Sequence, residues 1–278
     1  MKKKLKFAPV LVVHTLLLGL GLIWVFPFIW MITASFKTNN EYITSGINLV
    51  PQQIQFSNFA RAWETARFSV YFWNTLIVTV SVVVIIIALC SLTGYAIGRF
   101  RFRGRLLFVS AITATLFMPK GYTIISIYSL VNALGLNNSL WGIIIAEVGG
   151  GHVLFILLFV AYFRGLPKEL EESAEVDGSG FVRTFATIML PLAKPIIATT
   201  AIMQFMWSWN AFLMPLTLTL SKPELRTLGV GMFQFVGENT MDWTGMAAAA
   251  SISLVPILAV FIMLQRYFIE GVAGAVKG

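Results

Sequence analysis

Six stretches of mostly apolar residues dominate this chain, at about 8–32, 71–97, 106–129, 140–163, 192–218 and 247–267. A hydrocarbon core about 30 Å thick is crossed by about 20 residues in helical form. Backbone groups in lipid must bond within their own segment, so each stretch is expected to be a helix. Runs such as Val82-Val83-Val84-Ile85-Ile86-Ile87 are continuous, with none of the alternation that barrel strands require. Only 12% of the residues are charged, against about 25% in a soluble domain. So few ions could not cover a soluble surface of 278 residues. The expectation is an all-α membrane protein with six transmembrane helices in a single domain over residues 1–278.

The first stretch follows Met1-Lys2-Lys3-Lys4-Leu5-Lys6 but far exceeds the roughly 7–15 apolar residues of a signal peptide, so an uncleaved span is expected. The third is interrupted by Pro119, Lys120 and Gly121, which predicts a kinked or unwound outer end. With the N-terminus inside, the inner segments hold 14 of the 20 Lys and Arg residues and the outer ones 6. The positive-inside rule therefore predicts cytoplasmic termini. Trp30, Trp73, Trp141 and Trp243 fall at the outer ends of spans, where headgroups favour amphipathic rings. The net charge of +8 sits beside apolar runs, so it sets orientation and does not suggest nucleic acid. Outer loops at about 34–70 and 219–246 are either solvated connections or a surface for an external partner; a small helix near Phe59–Thr65 fits the first.

Between the fourth and fifth spans lies the segment 167–195. Pro167 suits a first helical turn, and Glu169, Glu171 and Glu172 follow where a helix N-terminus favours anions. Leu166, Leu170 and Ala174 form a narrow apolar stripe, and Gly178 and Gly180 can turn the chain. A second amphipathic stretch carries Phe181, Phe185, Ile188 and Met189, and Leu190-Pro191 is expected to break it. Two short helices at a glycine elbow follow. A helix lying on a membrane surface is usually rich in Lys and Arg. This one has five acids from Glu169 to Asp177, which favours a protein partner over lipid.

Here the sequence resembles a known family. Glu172-Ser173-Ala174, Asp177-Gly178, Ile188-Met189-Leu190-Pro191 and Pro195 are similar to the E-A-A…G…I-x-L-P loop of ABC importer permeases, with Ser173 where alanine is frequent. Asn74-Thr75-Leu76, Gly94-Tyr95-Ala96, Met118-Pro119, Leu134-Gly135-Leu136-Asn137-Asn138-Ser139, Trp209-Asn210-Ala211-Phe212-Leu213 and the tail Gly271–Gly278 resemble the carbohydrate-uptake branch, of which the maltose-type permease subunit is an example. The resemblance implies the type I importer fold and a multi-pass place in a prokaryotic inner membrane. It also implies a second, similar permease, two cytoplasmic ATPase subunits and an extracytoplasmic solute-binding protein. Glu172, Ser173, Ala174, Asp177 and Gly178 would then couple to the ATPase.

No G-x-x-x-x-G-K-[ST] phosphate loop is present; Gly149-Gly150-Gly151-His152 lacks the lysine. No catalytic residues, metal ligands or cofactor are therefore expected on this chain, and ATP with Mg would bind the partner ATPase. Polar groups inside spans are costly and mark candidate pathway residues: Trp207, Asn210 and Glu147. An amide beside aromatic faces suits a neutral sugar; the other reading of Asn210 is interhelical packing and hydrogen bonding. Two other readings remain: an ion-coupled carrier using Glu147 and His152, or a membrane scaffold without transport.

Overall fold

The computed structural model describes residues 7–64, 67–118, 123–150, 152–237 and 241–276. In chain order the helices are α1 (Phe7–Ala34), α2 (Asn39–Thr44), α3 (Ser57–Glu64), α4 (Phe68–Arg99), α5 (Arg105–Ala114), α6 (Ile124–Ala133), α7 (Leu140–Val148) and α8 (Val153–Gly165). They continue with α9 (Glu169–Val176), α10 (Phe181–Thr184), α11 (Leu190–Leu192), α12 (Lys194–Trp209), α13 (Leu213–Leu218), α14 (Leu228–Gly231) and α15 (Trp243–Val276). Among the described residues there is no strand, only an isolated bridge between Val236 and Met241.

Three helices are long and apolar enough to cross a membrane unbroken: Leu11–Ala34 within α1, α4, and Trp243–Tyr267 within α15. The other expected spans are interrupted. The third is divided between α5, extended by a 3-10 turn at Thr115–Phe117, and α6; the predicted break at Pro119–Gly121 lies outside the described residues. The fourth consists of α7 and α8, which meet at a bend of 55°. The fifth is α12, bent by 77° from the Phe181–Leu192 segment before it. That bend also corrects the expected break at Leu190-Pro191. The chain stays helical through Leu192, because a π turn over Phe185–Met189 precedes the proline, and it turns at Ala193.

The chain forms two compact units, Met1–Phe68 with Met232–Leu254, and Ser69–Gly231 with Val255–Gly278. In the first unit, α1 is exposed from Leu11 through Ile29, as suits a helix surrounded by lipid or by other subunits. Beyond it, polar side chains knit the segment 35–64. Lys37 is fully buried, its ammonium donating to Ser45 Oγ and the Asn48 carbonyl. Asn58 donates to the carbonyls of Ser35 and Lys37, each at 2.8 Å. The small helix expected near Phe59 is α3, and its Arg61 pairs with Asp242 through Nε–Oδ2 at 2.7 Å and Nη2–Oδ1 at 3.0 Å. Asp242 also accepts the Gly245 N–H at 2.9 Å and so caps α15. Burial alone would raise the Asp242 pKa, but Arg61, the Gly245 amide and Asn39 outweigh it and hold the carboxyl below its ordinary range. Tyr42 stacks on Trp243 with ring centroids 5.5 Å apart.

The core of the second unit is built from a stripe on α4 (Val78, Val82, Ile86) and the Phe155, Phe159 and Phe163 rings of α8. Close approach explains the G-x-x-x-G spacing at the end of α4. A Cβ on Gly94 would collide with that of Phe159, and one on Gly98 would come within 3.3 Å of the Val160 carbonyl. At the other end of α4, Asn74 donates to the Glu224 and Arg226 carbonyls at 2.8 and 3.0 Å, and Thr75 accepts the Leu228 N–H at 2.8 Å. These side chains tie down an irregular segment that would otherwise leave buried backbone groups unmet.

Candidate functional site

The segment 167–195 folds as two short helices joined at glycine. Helix α9 starts after Pro167, its first free amides bonding back to the Lys168 carbonyl. It ends in a Schellman arrangement: Ser179 N–H bonds to Ala174 O at 2.8 Å and Gly178 N–H to Glu175 O at 2.9 Å. Gly178 adopts φ +75°, where a side chain would be strained. Ala174 is buried and Leu170 half-buried, so the apolar stripe faces inward. Glu172, Ser173, Glu175, Val176 and Asp177 are exposed, and Val176 is 88% accessible. Of the five residues expected to couple, then, Glu172, Ser173 and Asp177 lie on the open face, Gly178 forms the elbow and Ala174 anchors the helix.

One residue behind this helix was counted in the sequence only as an orientation charge. Arg99, the last residue of α4, is 5% exposed in its side chain and spends every guanidinium nitrogen on this region. Nε donates to Glu171 Oε2 at 2.5 Å, Nη1 to the Leu166 and Phe163 carbonyls at 2.9 and 3.2 Å, and Nη2 to the Pro167 carbonyl at 3.1 Å. These carbonyls lie at and just beyond the end of α8, where helical partners run out; that of Phe163 also accepts the Leu166 N–H at 3.3 Å. Beside the pair lies a cavity of about 550 Å³, lined among others by Tyr95, Glu175, Phe181 and Thr184. The Tyr95 ring packs against Phe181 and Phe185 at 5.2 and 5.4 Å, holding α10 and its π turn to α4.

The residues expected along a pathway separate. Glu147, near the end of α7, accepts a hydrogen bond from Ser208 Oγ at 2.5 Å, and Ser208 in turn accepts from Gln204 Nε2 at 2.9 Å. Gln204 and Ser208 are 2% and 3% exposed and share one face of α12 with the fully buried Thr200. Trp207 points to another face, is 44% exposed and stacks on Phe155 at 5.1 Å. Asn210 corrects an expectation. It is not within a continuous helix but exposed at the end of α12, with its amide bonded back to the Met206 carbonyl at 2.8 Å. Such back-bonding competes with the helix, and the chain restarts as α13 three residues on. His152 bonds through Nε2 to the backbone carbonyl of Glu147 at 2.8 Å and stacks on Phe155. That contact reaches the Glu147 peptide carbonyl and not its carboxylate. Among the described residues there is no group of His, Cys, Asp and Glu able to hold a metal.

The whole arrangement has close relatives. Residues 3–274 match the family described as binding-protein-dependent transport system inner membrane component. A probable ABC transporter permease of Bacillus subtilis strain 168 (YurM) is 32% identical, over 91% of this chain and 84% of the relative. The diacetylchitobiose uptake permease NgcG of Streptomyces coelicolor is also 32% identical, over the same shares. The trehalose/maltose transport permease MalG of Thermococcus litoralis is 31% identical over 93% of this chain and 94% of its own. Among solved structures, a bacterial ABC transporter that imports the acidic polysaccharide alginate superposes with a TM-score of 0.81. It covers 96% of this chain and 100% of that one at 24% identity, a likeness of fold. The chain belongs to the family of inner membrane components of binding-protein-dependent transport systems, permease subunits of ABC importers whose ATP is hydrolysed by a separate subunit.

Proposed function

We propose that this chain is half of the translocation pathway of an ATP-driven carbohydrate importer, acting throughout its length as one permease domain. The sugars and oligosaccharides named for several relatives, among them melibiose, raffinose and stachyose for a permease 33% identical, support a neutral saccharide as cargo. A second permease, similar but not identical, completes the pathway, and two cytoplasmic ATPase subunits drive it. ATP and Mg bind those subunits, and this chain holds no cofactor. Both termini lie in the cytoplasm, in accord with the distribution of Lys and Arg.

The observation that carries the reading is α9. It is a short helix that turns Leu170 and Ala174 inward while Glu172, Ser173 and Asp177 stand open to a partner. Glu172 and Asp177 meet a basic cleft on the ATPase, and Gly178 sets the angle at which the helix enters it. Glu147 with its Ser208 and Gln204 partners, together with Trp207 and Asn210, borders the path of the solute. Aromatic faces and amide edges of this kind match the apolar faces and hydroxyl rims of a sugar ring.

Two changes test the docking reading in the full importer reconstituted in vesicles. Glu172→Lys and Gly178→Pro should abolish ATP-driven uptake while the permease remains inserted, and normal uptake by either would refute it. The cargo is tested by thermal-shift screening of the cognate binding protein with mono-, di- and oligosaccharides, polyols and glycerol phosphates. Stabilisation by a saccharide is expected, and a response confined to non-carbohydrate solutes would overturn that assignment.

A further inference from the structure

We propose that Arg99 and Glu171 are a positioning pair that makes α9 move as one body with the adjoining ends of α4 and α8. The proposal rests on the reading of α9 as the docking helix and adds how its motion reaches the spans. Little else supports α9. Leu170 and Ala174 give it a narrow apolar foothold, and on the side of Tyr95 and Phe181 it borders open space. Beside that foothold and the chain itself, a load applied to its exposed face passes through the Arg99 clamp, whose guanidinium reaches from α4 to Glu171.

That clamp joins three elements at once. The guanidinium sits on the last turn of α4, takes the Phe163 and Leu166 carbonyls at the end of α8, then the Pro167 carbonyl, and ends on Glu171 in the first turn of α9. Its charge opposes the negative end of α8, and its rigid fork serves several acceptors in fixed directions. Behind it, Gly94 and Gly98 bring α4 and α8 into backbone contact, so these two helices cannot slide without collision. A displacement of α9 is thus handed to a stiff pair. Lysine could supply the charge at position 99, but a single ammonium could not reach the same set of acceptors.

The pair is tested in the complete importer, in phospholipid vesicles, with spin labels at Val176→Cys and Phe102→Cys in a Cys90→Ser background. Both labelled positions are exposed. The distance between the labels is measured at rest and with the ATPase trapped by ATP, Mg and vanadate. With Arg99 and Glu171 present, one narrow distribution should persist in both states. In Arg99→Gln and in Glu171→Gln the resting distribution should be kept, and the trapped one should shift by about 2 Å or more. Arg99→Lys should fall between. The proposal is overturned if both glutamine variants behave as the parent, or if the parent itself shifts on trapping. It is equally overturned if the variants are already broadened at rest, which would make Arg99 a packing residue. Should Arg99→Gln fail to insert, Glu171→Gln decides alone. Co-purification of the ATPase with Glu172→Lys separates the two ideas: retention sinks the docking reading, whereas a distance result alone bears on the clamp.

Discussion

Asp242→Asn removes a carboxylate that five donors approach in the first unit: Arg61 Nε at 2.7 Å, Arg61 Nη2 at 3.0 Å, the Gly245 amide at 2.9 Å, Asn39 Nδ2 at 3.1 Å and, most distantly, the Thr244 hydroxyl at 3.4 Å. In a buried site, hydrogen bonds to a charged group contribute about 1.5–3 kcal/mol. Here Arg61 is 39% exposed, so solvent screening reduces its share to about 1 kcal/mol or less. Loss of a negative charge at the start of α15 adds about 0.3–1 kcal/mol. The asparagine oxygen still accepts one amide, so the net cost is about 1–2 kcal/mol. At about 2–4 °C per kcal/mol, the unfolding midpoint should fall by about 2–8 °C. Tryptophan fluorescence of the purified protein follows it directly, because Trp243 stacks on Tyr42 beside the carboxylate. The pH dependence carries the sign. The folded pKa of Asp242 is depressed, so its stabilisation is full above the unfolded value of about 3.9 and is lost as pH falls through the folded one. The gap between parent and variant should therefore hold from pH 7 down to about pH 4 and begin to close only below that. Equal midpoints at neutral pH, or a gap that widens in acid, would refute the reasoning.

Other substitutions probe the second unit. Gly94→Leu forces α4 away from Phe159, and overpacking of about 1–3 kcal/mol should appear as a lower midpoint and reduced folded yield. Thr75→Val leaves the Leu228 N–H without its acceptor and should lower stability by about 1–3 kcal/mol, read from the same unfolding curve. Asn210→Leu should change solute preference or uptake with little effect on folding, since its side chain is exposed; unchanged transport would make it a helix cap only. Glu147→Gln should preserve insertion but alter uptake, measured in vesicles, because the Ser208 hydroxyl loses its carboxyl acceptor.

The apolar runs and the loop pattern were legible because both are local. Length and continuity marked the spans, and the period of Leu166, Leu170 and Ala174 marked the inward face of α9. What the sequence hid depends on partners far along the chain. Arg99 stands among Arg101, Arg103 and Arg105 and looks like one more orientation charge until Glu171 and the end of α8 are brought to it. Lys37, one of the six cations in the outer segments, is buried because Ser45 and Asn48 close around it. Glu147 finds Ser208 sixty-one residues away, which no spacing rule signals. The bend at Ala193 and the end of α12 at Asn210 were missed for another reason. Hydropathy registers how apolar a segment is and not whether its backbone turns within it.

The central claim is that the open face of α9 meets an ATPase, and Ser173 is the place to test it, exposed on that face between Glu172 and the buried Ala174. A photocrosslinking amino acid at Ser173, irradiated in membranes containing the whole importer, should join this chain to its ATPase subunit. The Glu172→Lys change should remove that product. Adducts confined to lipid or to the partner permease would contradict the account.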